Sequence, residues 1–379
     1  MSVQRVIPVE LVEFGASDVA TGIGHYAHAI QGALMRQHAE MVDPCLRRFH
    51  SLPGANRFQI LRHLPIGIAN RRPGSIAHFV QIMGSAMLRY RTIHPSVIAV
   101  HDLGMLVSKE DDTLFTPLDR MLMYQQFLGL RCADRLSAAS AFNARGLQET
   151  LGIPLDRIRV IHHGVDAAYR ERPRAEDYTV LDRYRPPRTP GMLDLLYVGS
   201  ELPRKNLATL LKMVAILKAR GQSVRLIKAG GAGGERWRQA TIQQISALGL
   251  EADVVFTGRV DEAHLPMLYR AADVFVTTSR LEGFGLPTAE AMASGIPIVC
   301  SDTTAFPEVV GDAGLLVSPD DPEAVAAAVL RMRDDPALRE SFIEKGVQRA
   351  ALYTWENAAA KLADLYAEIA STGDTRSSR

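Results

Sequence analysis

The sequence has few of the features that mark membrane-spanning, disulfide-linked or nucleic-acid-binding proteins. It contains no run of about 18 apolar residues, so no segment is predicted to span a bilayer. Its cysteines, Cys45, Cys132 and Cys300, are far apart and predict neither a disulfide framework nor a metal site. The first residues lack the long apolar core of a signal peptide, and the net charge of +1 does not favour nucleic acid. We therefore expect a protein of the reducing cytoplasm.

Acidic residues are absent from one long stretch near the N-terminus, between Asp43 and Asp102. The same stretch contains the arginines Arg47, Arg48, Arg57, Arg62, Arg71, Arg72, Arg89 and Arg91. Apolar side chains lie between them, and such a surface suits an anionic membrane face or a lipid phosphate. The alternative is a set of arginines that pair with acids elsewhere in the fold. Nucleic acid is not expected as a partner, because no stacking platform or binding motif accompanies the arginines.

The length and composition indicate two globular domains. The chain has 379 residues, of which 47% are hydrophobic and 22% charged, so each half is long enough to bury its own core. Strand-like apolar runs alternate with helical ones, which predicts parallel sheets with helices on both faces. Residues 169–191 are rich in proline and arginine and are predicted to join the two domains.

The most informative stretch is Glu282-Gly-Phe-Gly-Leu-Pro-Thr-Ala-Glu290, in which two carboxylates stand eight positions apart. Its glycines and proline predict a tight loop from Glu282 to Leu286, with Pro287 in the first turn of a helix. Unpaired N–H groups at a helix start attract an anion, and a carboxylate at each end can accept hydrogen bonds from sugar hydroxyls. The combination favours a nucleotide sugar. The alternative is an ordinary strand–loop–helix turn with a glutamate near the helix start.

Two cations precede another predicted helix. Arg204 and Lys205 stand just before a run of apolar residues at helical spacing, Leu207 to Leu217. Cations at a helix N-terminus oppose the helix dipole. A bound pyrophosphate would explain them, because a guanidinium, an ammonium and helix N–H groups would converge on one anion. The alternative is a pair of exposed surface charges.

The N-terminal half opens with a predicted strand, a loop that contains Gly22 and Gly24, and a helix from about His25. The two glycines alone indicate only a tight turn. A later apolar strand ends at His101-Asp102, and strand ends in doubly wound sheets face the ligand. His101 is therefore a candidate to hydrogen-bond a sugar hydroxyl. A histidine with a purely structural role is the alternative.

Two segments resemble those of the family-four retaining glycosyltransferases, which have the GT-B fold. The segments are residues 282–299, an E-x7-E motif with its sequel, and residues 307–314. The resemblance covers most of the C-terminal half and is patchier in the N-terminal half. It implies an α/β protein of two doubly wound, Rossmann-like domains that face each other across a cleft. The implied parts are an acceptor-binding domain (1–175), a nucleotide-sugar-binding domain (176–355), a helix returning to the N-terminal domain (356–370) and a disordered tail (371–379).

The resemblance also implies roles for individual residues. Arg204 and Lys205 would bind the diphosphate, Glu282 the hydroxyls of the donor sugar, and Glu290 the ribose. His101 would lie near the donor sugar and, with Arg204, Lys205 and Glu282, is a candidate catalytic residue. Further donor contacts are expected at Gly22, Gly24, Gly258, Arg259, Val260, Gly283, Phe284, Gly285 and Leu286.

These features predict a glycosyltransferase that moves a hexose with retention of configuration and needs no metal ion or other cofactor. No Asp-x-Asp motif stands at a strand end, and the cationic pair can replace a metal at the pyrophosphate. The segments 22–24 and 101–103 resemble those of bacterial mannosyltransferases, which implies GDP-mannose as donor, with UDP-sugars as the alternative. The expected acceptor is a lipid-linked saccharide in surface polysaccharide assembly. The enzyme would then work at the inner face of the membrane, in contact through the arginine-rich stretch 47–91.

Two other classes of protein make different predictions. A nicotinamide-dependent oxidoreductase with two doubly wound domains would carry G-x-G-x-x-G after a strand, with an acid about 20 residues further on. The sequence does not contain that pattern whole. A non-catalytic nucleotide-sugar-binding protein would keep the fold without turnover. The presence of His101, both cations and both glutamates argues against it.

Overall fold

The computed structural model describes residues 6–14, 22–49, 71–90, 93–104, 116–172 and 174–373. These residues form two compact units. The second unit is the continuous segment Val165–Tyr353, and the first consists of the described residues before Val165 together with the chain from Thr354. The sequence placed the last residue of the first domain at 175, eleven positions after Gly164, where that segment of the first unit ends.

The first unit is built on a six-stranded sheet in which every described pairing is parallel, in the order β2-β1-β3-β4-β5-β6. Its strands are β1 (Ile7–Phe14), β2 (Val42–Phe49), β3 (Ile76–Phe79), β4 (Ser96–Val100), β5 (Arg135–Ala138) and β6 (Ile158–Val160). The helices between them are α1 (Gly22–Gln37), α2 (Pro117–Leu130) and α3 (Ala141–Leu151). Ser140 caps α3 by accepting a hydrogen bond from the Asn143 N–H, as its side chain predicts.

The arginine-rich stretch contributes two strands that the sequence did not predict, β2 and β3. Strand β2 lies at the edge of the sheet, where its arginines reach acids of β1. Arg47 donates to Glu10 and Arg48 to Glu13, each at 2.8 Å. Arg72 pairs with Asp43 and Glu10. These arginines thus match the alternative interpretation, in which they pair with acids of the fold. Three arginines of the stretch lie outside the described residues: Arg57, Arg62 and Arg91.

The second unit has the parallel, doubly wound sheet that the sequence predicted, in the order β12-β11-β10-β7-β8-β9. Its strands are β7 (Leu193–Val198), β8 (Val224–Ala229), β9 (Val254–Gly258), β10 (Val274–Thr277), β11 (Ile298–Ser301) and β12 (Leu315–Val317). Its helices are α4 (Leu207–Ala219), α5 (Glu235–Ala247), α6 (Leu265–Ala271), α7 (Leu286–Ala293), α8 (Phe306–Val310), α9 (Pro322–Asp334) and α10 (Pro336–Ala350). The sequence did not predict β12, α5 or α8.

The last helix, α11 (Trp355–Gly373), packs into the core of the first unit. Trp355, Leu362 and Tyr366 are buried there with side chains of β1 and α1. The helix runs three residues past the predicted end at residue 370, and the rest of the predicted tail, residues 374–379, lies outside the described residues. None of the helices in the described ranges is both long enough and apolar enough to cross a membrane.

Candidate active site

The loop before α7 has the conformation that its glycines and proline predicted. Gly285 has φ 83° and precedes α7, in whose first turn Pro287 lies. An L side chain rarely adopts this φ, and a Cβ on Gly285 would lie 3.0 Å from the Phe306 ring. The loop therefore requires glycine at 285, and it brings the backbone of residues 283–286 to the N-terminus of a helix.

The same loop is anchored by its neighbours on both sides. Phe284 is buried, and its ring meets the Tyr353 ring edge-on at 5.3 Å between centroids. The Glu282 N–H donates to the Thr304 hydroxyl at 3.2 Å. These contacts fix the backbone from which the Glu282 carboxylate projects.

Arg204 and Lys205 lie just before α4, in a short 3-10 turn, Pro203–Lys205. Asn206, with φ 52°, separates the turn from the helix. The turn is held beside β10, because the Arg280 N–H donates to the Arg204 carbonyl at 2.8 Å and the Thr278 hydroxyl to the Asn206 carbonyl at 2.9 Å. Tertiary hydrogen bonds, more than the helix terminus, therefore position the two cations.

The structure brings the cationic turn and the Glu282 loop into contact. The Lys205 ammonium lies 2.5 Å from the Glu282 carboxylate, and the two side chains are 16% and 12% exposed. The Arg204 guanidinium donates to the Leu281 carbonyl at 3.4 Å. Two cations and a carboxylate thus lie side by side beyond the carboxyl end of β10.

Glu290 lies within α7 and receives hydrogen bonds from two tyrosines. The Tyr269 hydroxyl donates to its carboxylate at 2.8 Å, and Tyr169 is hydrogen-bonded to the same carboxylate. Burial, followed by the Glu290 charge, raises the pKa of both phenols well above the usual value. Both tyrosines are therefore neutral donors that orient the carboxylate. Neither tyrosine could be predicted from the sequence, since each is a single aromatic residue outside any motif.

Residues 258–260 begin at the last residue of β9 and adjoin the glycine run, residues 230–234, which follows β8. Gly258 has φ 66°, and its carbonyl accepts a hydrogen bond from the Gly230 N–H at 2.8 Å. Arg259 is exposed, whereas Val260 is buried. This pairing links the two loops that end neighbouring strands.

In the first unit, His101 at the end of β4 contacts His163, which the sequence had not singled out as a site residue. His101 Nε2 lies 2.6 Å from the Val80 carbonyl, and Nδ1 lies 3.0 Å from His163 Nε2. Since a carbonyl only accepts, His101 Nε2 carries a proton, and Nδ1 of the neutral ring accepts from His163. Burial lowers the pKa of both imidazoles, which favours these neutral forms. A bond from His101 to a sugar hydroxyl would require one of these contacts to break.

The two imidazoles belong to an aromatic cluster that the last helix completes. Tyr26 meets His101 edge-on at 4.7 Å and Trp355 at 5.9 Å between ring centroids. Gly164, next to His163, is so close to Trp355 that a Cβ would lie 2.3 Å from its backbone nitrogen. The start of α11 therefore fixes the position of His163.

Gly22 and Gly24 differ from their predicted placement in a loop. Helix α1 begins at Gly22, so both glycines lie in its first turn. The Gly24 carbonyl accepts a hydrogen bond from the side chain of His28, four residues further along the helix, at 2.9 Å. The helix thus starts three residues before the predicted position at His25. Within the described ranges, no group of three His, Cys, Asp or Glu side chains is arranged to hold a metal ion.

Comparison with known proteins identifies the family. Residues 24–169 match the model "Glycosyltransferase Family 4", and residues 186–349 match "Glycosyl transferases group 1". The O-antigen chain mannosyltransferase B of Escherichia coli is 33% identical over 275 residues, which are 72% of this chain and 70% of that protein. The chain therefore belongs to the family-four glycosyltransferases, and its enzymatic activity is glycosyl transfer.

Solved structures agree on the fold. Sucrose-phosphate synthase from Thermosynechococcus elongatus superposes with a TM-score of 0.77 at 22% identity, over 97% of this chain and all of that one. Anabaena Alr3699/HepE in complex with UDP and glucose has a TM-score of 0.74 at 17% identity, over 94% of this chain and 99% of that one. The two six-stranded α/β units are those of the GT-B fold.

Proposed function

We propose that this glycosyltransferase moves mannose from GDP-mannose to a saccharide acceptor, with retention of configuration and without a metal ion. The observation that carries the proposal is the 2.5 Å contact between Lys205 and Glu282, beside Arg204 and the N-terminus of α7. This arrangement offers cations and helix N–H groups to a diphosphate and a carboxylate to sugar hydroxyls.

The proposed roles of the donor-binding residues follow from their placement. Arg204 and Lys205 bind the diphosphate, and the backbone N–H groups of residues 283–286 receive the remaining phosphate oxygens. Glu282 binds hydroxyls of the sugar. Glu290 binds the ribose, with its carboxylate oriented by the tyrosines that donate to it. Residues 258–260 lie against the base.

The proposed chemistry is stabilisation of the leaving nucleoside diphosphate. As the bond from the anomeric carbon to the phosphate oxygen breaks, negative charge grows on that oxygen. Arg204 and Lys205 stabilise it electrostatically without reorganisation, because tertiary hydrogen bonds hold their turn in place. The acceptor hydroxyl attacks the anomeric carbon from the same face of the sugar and passes its proton to the departing phosphate oxygen, which gives retention. The neutral His101 in the first unit remains a candidate catalytic residue, with His163 as its positioning partner.

The identity of the donor is supported by one relative and opposed by a structural neighbour. The Escherichia coli relative is named for mannosyl transfer to the O-antigen chain, which supports mannose and an acceptor in surface polysaccharide assembly. The Anabaena neighbour holds UDP and glucose, which keeps UDP-sugars as the second candidate class. We give more weight to the Escherichia coli relative, because its sequence identity to this chain is 33%, against 17% for the Anabaena neighbour.

A turnover assay tests the proposal. The protein is incubated with GDP-mannose, UDP-glucose or UDP-galactose, with lipid-linked saccharides from a bacterial membrane extract and with EDTA. We expect GDP release and an α-linked mannoside with GDP-mannose alone, unaffected by EDTA. Turnover with a UDP-sugar would show that this sugar nucleotide, and not GDP-mannose, is the donor. Loss of turnover in EDTA would contradict the metal-independent mechanism. Nucleotide binding without turnover would favour a non-catalytic binding protein.

We also propose that the enzyme contacts an anionic membrane, and the structure suggests a surface other than the strand arginines. Leu118, Met121 and Tyr124 of α2 are 45%, 52% and 55% exposed. At about 3.6 residues per turn these side chains share one face of the helix. Arg89 donates to Gln125 on the same helix, which brings Tyr90, 75% exposed, beside this face. Such an apolar patch on a soluble protein marks an interaction surface.

The charges around this apolar face favour an anionic lipid surface. Arg89, Arg120 and Arg131 are exposed in the same two segments, residues 71–90 and 116–131. These segments contain one acid, Asp119, and it is 9% exposed because it caps the start of α2. Exposed apolar side chains beside exposed arginines suit the interface of an anionic bilayer.

Vesicle sedimentation at low salt tests the membrane contact. We expect binding to phosphatidylglycerol vesicles and not to phosphatidylcholine vesicles. The double variant Met121→Gln/Tyr124→Gln is expected to weaken binding about a hundredfold, since each apolar side chain that enters the interface contributes about 1.5 kcal/mol. Ile242→Gln, at a residue 51% exposed in the second unit, is the matched control. Equal binding to both kinds of vesicle, or an unchanged double variant, would contradict the proposal.

A further inference from the structure

A buried charge cluster lies behind the loops of the second unit. Glu201 follows β7, Lys228 is in β8 and Arg238 is in α5. One oxygen of the Glu201 carboxylate lies 3.1 Å from the Lys228 ammonium and 2.7 Å from the Arg238 guanidinium. The side chains of Glu201 and Lys228 are 0% exposed, and that of Arg238 is 22% exposed. The cluster is outside every motif that the sequence suggested.

Lys228 connects the cluster to the glycine run after β8. Its ammonium donates to the Gly230 carbonyl at 2.6 Å and to the Gly231 carbonyl at 2.9 Å. These two carbonyls take two of the three ammonium protons, and the Glu201 carboxylate lies within ion-pair distance of the same ammonium. A glycine-rich segment has little conformational preference of its own, so Lys228 determines the path of this one.

Glu201 and Arg238 connect the neighbouring loops to the same point. The Glu201 N–H donates to the Ala232 carbonyl at 2.9 Å, within the glycine run. The Arg238 guanidinium lies over the Phe256 ring of β9, 4.0 Å from its centroid. The cluster therefore joins the loops that follow β7 and β8 to strand β9, and the glycine run in turn bonds to Gly258 at the end of that strand.

Stability alone is a weak reason for charges at this position. Burial of an ion pair costs desolvation that its attraction scarcely repays, and apolar residues of the same volume are often as stable. Burial lowers the pKa of Lys228, and Glu201 opposes that effect. Burial of these charges costs desolvation energy, but their directional contacts hold the loops in one arrangement. An apolar contact, which lacks direction, would not select that arrangement.

We propose that Glu201 is a positioning residue for the donor nucleotide, acting through Lys228 and Arg238 to hold the glycine run between the cationic turn and residues 258–260. The inference rests on the proposed function, since it assumes that these loops bind a nucleotide sugar. Glu201 itself touches no substrate, because its side chain is fully buried. Its effect is on the affinity for donor and not on the chemical step.

The double variant Glu201→Leu/Lys228→Met separates positioning from stability. Because apolar replacement of a buried pair is often neutral for stability, we expect the melting temperature to stay near that of the wild type. The KM for the sugar nucleotide should rise about tenfold or more as the loops lose their fixed geometry, while kcat stays within a few-fold. Glu323→Gln, which breaks the exposed pair with Arg220 in the same unit, is the matched control and should leave KM unchanged.

A second variant covers the case in which the double variant does not fold. Arg238→Gln alters a side chain that reaches solvent, so it should fold, and its donor KM should rise by a smaller factor. If the wild type turns over sugar nucleotides but a folded variant has an unchanged donor KM, the positioning role alone is overturned. A wild type without affinity for any nucleoside diphosphate would overturn the proposed function, and the inference with it.

Discussion

The Tyr269 hydroxyl donates a hydrogen bond of 2.8 Å to the carboxylate of Glu290, the second glutamate of the E-x7-E motif. Tyr269 is fully buried, and Tyr169 contacts both groups, its ring 5.7 Å from that of Tyr269. The carboxylate therefore has one preferred orientation before any ligand binds. Preorganised acceptors of this kind lower the entropy cost of binding.

Tyr269→Phe should weaken donor binding with little effect on the chemical step. The variant removes one buried hydrogen bond to a carboxylate, which costs about 1.5–3 kcal/mol. Part of this cost lowers the stability of the fold and part lowers the affinity for donor. We expect the KM for donor to rise about five- to tenfold, a free-energy change near 1 kcal/mol. Initial rates over a range of donor concentrations measure it. Tyr124→Phe, at an exposed tyrosine of the first unit, serves as control, and an equal effect there would contradict the account.

Lys205→Met should lower kcat, because the ammonium stabilises charge that develops as the nucleoside diphosphate leaves. Removal of one such group lowers kcat by about 10²-fold or more. Stability should fall as well, since Lys205 and Glu282 are only 16% and 12% exposed and the variant leaves the Glu282 carboxylate without its cation. Lys218→Met breaks another lysine–carboxylate pair of the same unit, with Asp253, and should leave kcat unchanged. A Lys205→Met enzyme with full kcat would contradict the leaving-group role.

Gly285→Ala should destabilise the second unit by more than an alanine at another left-handed glycine. Gly249 has φ 64° and open space around it, so Gly249→Ala measures the cost of the backbone conformation alone, about 1 kcal/mol. At Gly285 the new methyl group also meets the Phe306 ring, and such overpacking adds about 1–3 kcal/mol. Urea denaturation of both variants gives the difference. Equal losses of stability would show that the ring moves away without cost.

Acidification below about pH 6.5 should destabilise the first unit through His78. Burial, with a smaller effect of His101, lowers the pKa of His78 to about 3. Between that value and the ordinary pKa near 6.5 the unfolded chain binds the proton and the folded chain does not, so stability falls as the pH falls. The expected slope is at most about 1.4 kcal/mol per pH unit from this group. Above the ordinary pKa the His78 imidazole is neutral in both the folded and the unfolded chain, so it adds no pH dependence to the stability there.

Urea midpoints between pH 4 and pH 8 measure this slope in the wild type and in His78→Phe, which should show a shallower dependence. Leu362→Ala is the control, because Leu362 lies in the same core and does not titrate. It should lower stability at every pH without changing the slope. An unchanged slope in His78→Phe would contradict the assignment.

The elements that the sequence predicted best are those that local chemistry determines. Gly285 and Pro287 allow one kind of turn and one place for a helix to start, and α7 begins there. Ser140 marks the start of α3, because its side chain accepts a hydrogen bond from the Asn143 N–H in the first turn. In contrast, α5 buries only Thr241 and Ile245, so its apolar periodicity is too weak to indicate a helix. Strand β2 was missed because its arginines interrupt the apolar pattern, as an edge strand tolerates.

The site was less predictable than the fold, because its contacts join residues that are far apart in sequence. Lys205 and Glu282 could each be named from a motif, but their 2.5 Å contact depends on hydrogen bonds between two loops. Tyr169 precedes Glu290 by 121 positions and has no local signal. Glu201 gave no sign of burial, since its burial comes from Lys228 and Arg238 and not from its neighbours in the chain.

The most direct test of the central claim is a thermal-shift measurement with GDP, UDP, ADP and NAD on the wild type and on Glu290→Ala. A ligand at a hundred times its dissociation constant stabilises by about 2.7 kcal/mol, which for units of this size corresponds to a rise of about 5 to 10 °C. We predict that rise with GDP in the wild type and a reduced one in Glu290→Ala. A shift with NAD alone, or none with any nucleoside diphosphate, would contradict the assignment of this site to a nucleotide-sugar donor.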